Sequence, residues 1–327
     1  MRQAAKVRVY KEGLQDESLL NSIKAHPPKD NESLSSWGQA LFKGSPWCII
    51  SDKVSGCIDE LTYPIAKWIE PLVANYTPGS FVVDISPYIG KYGYTPFGAH
   101  VDIQGVSILH LHLGPNPKQM TLWDQDEFRQ MAGSDATVCH DYERHLTKGI
   151  TYTIKAGDIF HLPASTYYHI GRADDFSVGV TIGLKKEPPH NILKRALKEH
   201  ESDSPEISKS AIVESYKLKK ESNAGFIRSP LLKKLSAFDF INKQIRIAEP
   251  FPLILDKSQK QNDRYCLFIR GRKLMLKKNQ SVVEIIDMLN RKETILLSDS
   301  FFNNANFDRQ AVLKLVAKLF NYGGILV

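Results

Sequence analysis

The sequence predicts a mainly β core, a barrel of the jelly-roll or double-stranded β-helix type. A helical preface precedes it, and a helical linker and a winged-helix-like module follow. Three observations carry this expectation. Between Ser80 and Leu184 lie short runs rich in Val, Ile, Tyr and Thr, cut by Gly and Pro: SFVVDISPYI, GVSILHLHLG, QMTLWD, GITYTIKAGDIFHLPA and FSVGVTIGL. Evenly spaced short strands of this kind close into barrels or sandwiches. Ahead of them, Asp59 to Tyr76 places apolar residues at helical spacing, with Pro64 near the start. Behind them the texture turns polar and helix-favouring, and a last stretch reads as strand, helix, helix and a terminal strand.

The boundaries follow from those changes. Residues 1–185 form the β domain with its preface. Residues 186–245, with helix-favouring segments at about Ile192 to Glu201 and Pro205 to Glu221, read as a linker or as an arm through which the chain forms a homodimer. Residues 246–327 carry strand-like YCLFIRGRKLML, a helix at SVVEIIDMLNRK and a second at DRQAVLKLVAKLFNYGG, which ends on Gly-Gly before the apolar tail ILV. Together these make the winged-helix-like module.

Composition narrows the class. With 42% hydrophobic and 24% charged residues, the chain is expected to build ordinary soluble cores. The N-terminus from Met1 to Gly13 is polar, and no apolar run reaches the roughly 18 residues of a membrane span. Cys48, Cys57, Cys139 and Cys266 lie far apart without a CxxC pair, which argues against a zinc ribbon and suits a reducing compartment. A cytoplasmic protein without a membrane partner is the expectation. The net charge of +7 is uneven: residues 185–327 hold 27 Lys+Arg against 16 Asp+Glu. That half suits an acidic peptide or a solvated surface.

The chemistry is expected in GAHVDIQG and AGDIFHLPASTYYHIG. Residues two apart on a strand share a face, so His100 and Asp102 can both ligate one metal from inside a barrel. His169 follows the Gly157-Asp158 turn, a short apolar strand and Pro163, and can re-enter the barrel opposite the first two. Two imidazoles and one carboxylate on one side of an ion form the facial set of non-haem Fe(II) oxygenases, with the remaining positions open. A competing pair exists in HLHLG, where His110 and His112 are also two apart, although no glutamate follows them. These two are read instead as barrel-lining or hydrogen-bonding residues, and His161 as structural. His140, His145, His190 and His200 sit in polar contexts.

On the HVD at 100–102, the lysine of KQMTLWD and GDIFHLPASTYYH ending at His169, the region 78–184 resembles the JmjC and cupin-like 2-oxoglutarate oxygenases. Within these it is similar to the asparaginyl hydroxylase that inhibits hypoxia-inducible factor and to the ribosomal-protein hydroxylases. The resemblance implies Fe(II) as metal, 2-oxoglutarate as co-substrate and dioxygen as oxidant. It also implies a basic residue on the strand after the HxD motif that holds the distal carboxylate of 2-oxoglutarate. Lys118 is the nearest match, 18 positions after His100 and so slightly further on than is usual in the family. A buried carboxylate needs such a charge partner. Tyr92, Tyr94 and Thr95 are candidates to add a hydroxyl to that carboxylate, and Ser177 and Thr181 to line its pocket. Trp123 and Asp124 are assigned to packing at the end of the Lys118 strand.

The expected activity is therefore hydroxylation of an amino-acid side chain in a protein or peptide, with the C-terminal module holding that substrate. Two alternatives stand beside it. One is a small-molecule oxygenase whose tail serves only assembly. The other is a non-enzymatic cupin sensor with a DNA-binding winged helix, disfavoured because DRQAVLKLVAKLF is core-like and lacks a dense basic recognition face.

Overall fold

A computed structural model describes residues 6–56, 58–74, 79–102, 105–200, 208–226, 235–256, 263–304 and 307–327. Cys57, Tyr76 and Pro205, which entered the expectations above, lie outside these residues. The chain divides into two compact units, one of residues 4–54 and 84–186, the other of residues 1–3, 55–83 and 187–327.

The first unit is built on two sheets. The larger runs in the order Ile159–Leu162, Val106–Pro115, Ser177–Lys186, Phe81–Lys91, Trp47–Asp52, Lys6–Lys11, Leu14–Gln15. The smaller runs Ile150–Ile154, Lys118–Asp124, Tyr167–Ala173, Ala99–His100, Val138–Cys139, with Gly93–Tyr94 paired to the Tyr167–Ala173 strand. Alternation sets the faces, as period-two side chains require. In Phe81–Lys91, Phe81, Val83 and Ile85 are buried on one side, which leaves Ser86 and Tyr88 on the other.

The preface is not purely helical. Helices Ser18–Ala25 and Leu34–Leu41 are present, yet Lys6–Lys11 and Trp47–Asp52 are strands of the larger sheet, paired from Lys6↔Asp52 to Lys11↔Trp47. Trp47 stacks on Phe42 with centroids 4.8 Å apart and meets Trp37 edge-on at 6.1 Å, so aromatic packing seats the two strands on the Leu34–Leu41 helix. Where the next strand passes, Gly90 has φ +153°, and a Cβ there would lie 2.1 Å from the Trp47 carbonyl oxygen. Only glycine permits that approach.

In the second unit, Arg264–Ile269 and Arg272–Lys277 form the hairpin expected from YCLFIRGRKLML. Arg270 and Gly271 at its turn both have positive φ, 44° and 70°, as a two-residue turn of the primed type demands. The helices Gln280–Asn290 and Arg309–Asn321 supply Ile285, Ile286, Leu289, Val312, Val316 and Leu319 to a core closed by Leu267 and Ile269 of the hairpin. Strand Gln244–Ile247 pairs with both Ile295–Leu296 and Ile325–Leu326, so the ILV tail is a strand. Helices Asp59–Val73, Pro189–His200 and Lys209–Glu221 also belong to this unit. Among the described residues no helix is long and apolar enough to cross a membrane.

Among the described residues Arg270 is the largest fully buried side chain, 1% exposed. Its Nε donates to Asn223 Oδ1 at 3.0 Å, and its terminal nitrogens reach the Gly323 carbonyl and Asp59, each at 3.4 Å. The guanidinium lies 3.8 Å from the Phe251 ring centroid and 5.0 Å from that of Tyr63. One side chain thereby ties the hairpin turn to four other segments of the unit.

Candidate metal centre

Strand pairing brings His100 and His169 together. The Tyr167–Ala173 strand lies between Lys118–Asp124 and the two-residue strand Ala99–His100, and His169 is in register with His100. The two rings face each other with centroids 4.2 Å apart. Asp102, two residues beyond His100, brings Oδ2 to 3.9 Å from His169 Nε2. One potential ligand atom from each of the three lies within 4.8 Å of the others, and among the described residues this is the only such grouping of His, Cys, Asp and Glu. An ion with bonds of about 2 Å could engage all three after small side-chain rotations.

Backbone contacts aim the imidazoles. His100 Nδ1 hydrogen-bonds the Gly98 carbonyl at 3.1 Å, which leaves its Nε2 free for the site. His169 likewise hydrogen-bonds the backbone of Tyr167. Phe97 packs edge-on against the His100 ring at 4.8 Å. Burial holds both imidazoles below their usual range, His169 well below, with His100 and His110 close by adding to the effect. They are therefore neutral, as metal ligands must be, and the contact of His169 with Asp102 is not an ion pair. The Asp102 carboxyl is pushed up to about 6 by burial.

Lys118 enters the same pocket from the first position of its strand and is 7% exposed. Among the described residues its ammonium has no hydrogen bond or ion pair, and burial pulls it down to about 8. An unpartnered buried cation is costly unless a ligand supplies the opposite charge. Thr95 lies beside it: a Cβ on Gly171 would be 3.6 Å from Lys118 Nζ and 3.4 Å from Thr95 Cγ2. The Thr95 Oγ1 is buried without a partner. The Lys118 ammonium and the Thr95 side chain thus meet over a residue that has no side chain.

The remaining expected residues are placed as follows. Thr181 lines the pocket, on the larger sheet. Tyr92 is buried with its hydroxyl on Ser177, and neither lines this pocket. Tyr94 lines a separate open cleft with Tyr142, under the guanidinium of Arg172. His110 lines the metal pocket, whereas His112 Nε2 is bonded to the Asn116 carbonyl at 2.7 Å, so the HLH pair does not converge. His161 is exposed. Trp123 packs against Phe128, and Asp124 caps the helix Gln125–Ala132 by accepting from the backbone of Asp126 and Glu127. Tyr88, Phe97, Ile108, Met120 and Gly171 complete the wall. Of these, Met120 was within reach of sequence reasoning, since it shares a strand face with Lys118.

No family model matches the chain, and no curated protein matches it. Among solved structures it is similar to ycfD of Escherichia coli at 12% identity and a TM-score of 0.49, covering 100% of this chain and 88% of that one. It is also similar to a structure described as YcfD, a ribosomal oxygenase from Escherichia coli, at 12% identity and a TM-score of 0.47, covering 99% of this chain and 87% of that one. A further similar structure is that protein in complex with cobalt and 2-oxoglutarate, at 11% identity and a TM-score of 0.47, with 99% and 87% covered.

Proposed function

We propose that this chain is an Fe(II)- and 2-oxoglutarate-dependent oxygenase that hydroxylates an amino-acid side chain in a protein or peptide. The observation that carries the reading is the convergence of His100, Asp102 and His169 in one pocket with the unpaired ammonium of Lys118. Two neutral imidazoles and a carboxylate fit Fe(II) and leave positions for further ligands. Once bound, Fe(II) with 2-oxoglutarate and dioxygen supplies the oxidation: one oxygen atom goes to a substrate C–H bond, and the co-substrate leaves as succinate and carbon dioxide. Because Asp102 fills the carboxylate position, hydroxylation is the expected outcome.

The residues of the chain do the placing. Lys118 pairs with the distal carboxylate, and Thr95 Oγ1 donates to it. Met120, buried on the same strand face as Lys118, gives that part of the pocket an apolar wall, which strengthens the pairing. We take the two facing sheets as a double-stranded β-helix. Residues 186–245 then serve as linker or dimerisation region, and 246–327 as a winged-helix-like module that holds the polypeptide. The excess of Lys and Arg in residues 185–327 supports an acidic or neutral polypeptide partner.

The deciding experiment is succinate release from 2-oxoglutarate by the Fe(II)-loaded chain in air, with and without candidate peptides. Iron-dependent succinate formation is expected even without a peptide, as uncoupled turnover. Its complete absence from a folded, Fe(II)-binding preparation would overturn the reading. Within that assay, Lys118→Ala should raise the KM for 2-oxoglutarate about 10- to 100-fold, the worth of a charge-assisted pair, while Fe(II) affinity stays unchanged. Since burial pulls Lys118 down to about 8, wild-type affinity for 2-oxoglutarate should weaken about tenfold per pH unit above that value, as the ammonium is lost. Unchanged affinity in Lys118→Ala would assign the carboxylate to another residue.

A further inference from the structure

The outermost strand of the smaller sheet, Ile150–Ile154, pairs on one side only among the described residues. Its sequence, ITYTI, holds no charge, proline or bulge, and its first four residues are exposed, Ile150 at 64% and Tyr152 at 45%. Soluble proteins guard such edges with those features, because an open row of N–H and C=O groups is a template for another strand. The direction of the free backbone groups follows from the ladder. Thr95 N–H donates to the Gly171 carbonyl at 2.8 Å, so Gly171 turns its backbone groups away from the Lys118–Asp124 strand. That direction alternates along each antiparallel strand, and the registers Ile170↔Thr121 and Tyr152↔Met120 carry the alternation outward. Ile150, Tyr152 and Ile154 therefore bond to Lys118–Asp124, while Thr151 and Thr153 direct N–H and C=O out of the sheet.

ITYTI also reads the same in both directions. Laid antiparallel on a second copy about a two-fold axis at Tyr152, it sets Thr151 opposite Thr153 of the partner subunit, and each such pair exchanges both backbone bonds. Tyr152 then meets its own counterpart as a non-hydrogen-bonded pair, where side chains come closest, and Ile150 faces Ile154 of the partner subunit. The Thr151 hydroxyl is already 2.9 Å from that of Thr121, so a row of threonines continues across the axis on one face, with apolar side chains on the other. The flanking Lys148 and Lys155 fall opposite Ala156 and Gly149 of the partner subunit, so no like charges are apposed.

We propose that Ile150–Ile154 is an interaction surface for a second copy of this chain, joined edge to edge through an isologous antiparallel strand pair centred on Tyr152. The strand offers an unrelated peptide no charge to select it, whereas its own sequence matches it in backbone parity, in side-chain face and in charge. A slip by one residue would set Tyr152 against a threonine and lose that parity. Because Lys118 and Met120 stand on the neighbouring strand, pairing puts the walls of two metal pockets into one continuous sheet. A single strand pair buries less than the roughly 1,200 Å² of a standard interface, so the association is weak and concentration-dependent. The proposal is independent of the oxygenase reading.

The test uses the full chain in sedimentation velocity from micromolar to millimolar concentration, together with disulfide trapping under oxidised glutathione. The weight-average sedimentation coefficient of the wild type should rise with concentration. Thr153→Pro removes an outward N–H from each subunit and leaves the ladder to Lys118–Asp124 intact, as proline at a sheet edge can. Losing those two bonds should weaken association at least about tenfold with an unchanged circular dichroism spectrum. Opposed residues of a non-hydrogen-bonded pair have Cα atoms about 4.5 Å apart, within disulfide reach. Tyr152→Cys should therefore give a disulfide-linked dimer, Ile150→Cys and the wild type should not, and adding Thr153→Pro to Tyr152→Cys should abolish the cross-link. The proposal is overturned if wild-type sedimentation does not depend on concentration, if a folded Thr153→Pro chain associates as the wild type does, or if Tyr152→Cys cross-links no faster than Ile150→Cys.

Discussion

His169→Ala should lose Fe(II) affinity by well over 100-fold and reduce succinate formation to the level of the metal-free protein. Disturbing a residue that merely orients a ligand already costs about 10- to 100-fold, so removing a ligand from a set of three must cost more. The geometry makes the test a clean one. His169 hydrogen-bonds only the backbone near it, and its side chain faces His100 and Asp102, so Ala there leaves the strand pairing to Leu122 and His100 in place. The folded variant should keep the wild-type circular dichroism spectrum while failing to bind metal in equilibrium dialysis. If it retains metal at wild-type affinity, the proposed ligand set is wrong. Asp102→Ala should behave in the same way.

An effect of similar consequence, but on stability alone, is expected at Arg270. Arg270→Gly keeps and relaxes the positive φ of the hairpin turn, so whatever it costs reports the lost guanidinium. Removing that group leaves the buried Asn223 Oδ1 short of a donor, takes one of two donors from the Gly323 carbonyl, which keeps the Tyr63 hydroxyl, and strips the Phe251 ring of its cation. The pair with Asp59 adds little, because that carboxylate is 44% exposed. Summing one orphaned acceptor and one desolvated cation–π contact gives a loss of about 2–4 kcal/mol, to be read as a shift in the urea unfolding of this unit. Arg270→Lys should recover little, since a compact ammonium lacks the planar fork that donates from separate nitrogens to Asn223 and Gly323 while stacking on Phe251. A loss below about 1 kcal/mol would mean that the network is dispensable.

The strands that carry the candidate metal site were legible because their side chains alternate: HVD and HLH each display period two directly. His169 was legible from the turn and proline that precede it. The two N-terminal strands were not, because KVRVYK reads as a polar terminus until WCIISD, some forty residues on, is laid against it. Burial of Val9 against Trp47, and of Ile50 in a separate cluster with Tyr10 and Tyr92, is decided by that pairing, which no local pattern encodes. Which hydroxyls enter the pocket was hidden for a related reason. Tyr92, Tyr94 and Thr95 are nearly consecutive, but Gly93–Tyr94 pairs with Arg172–Ala173, which turns Tyr94 toward the open cleft and leaves Thr95 facing Lys118. The pairing of His110 with Thr181 depends on a cross-strand register that shifts between Val178 and Gly179, which composition does not announce.

The strand that contributes His100 is only two residues long, and one register pair joins it to the strand of His169. Few backbone bonds hold it, so an ion gripped by both imidazoles and by Asp102 would act as a removable cross-link between parts of the chain that are remote in sequence. Metal affinity and local folding are then one equilibrium, and each contributes to the other. A chelator would do more than silence the chemistry: it would free the HVD segment to open, exposing to proteases a stretch that the loaded protein keeps closed.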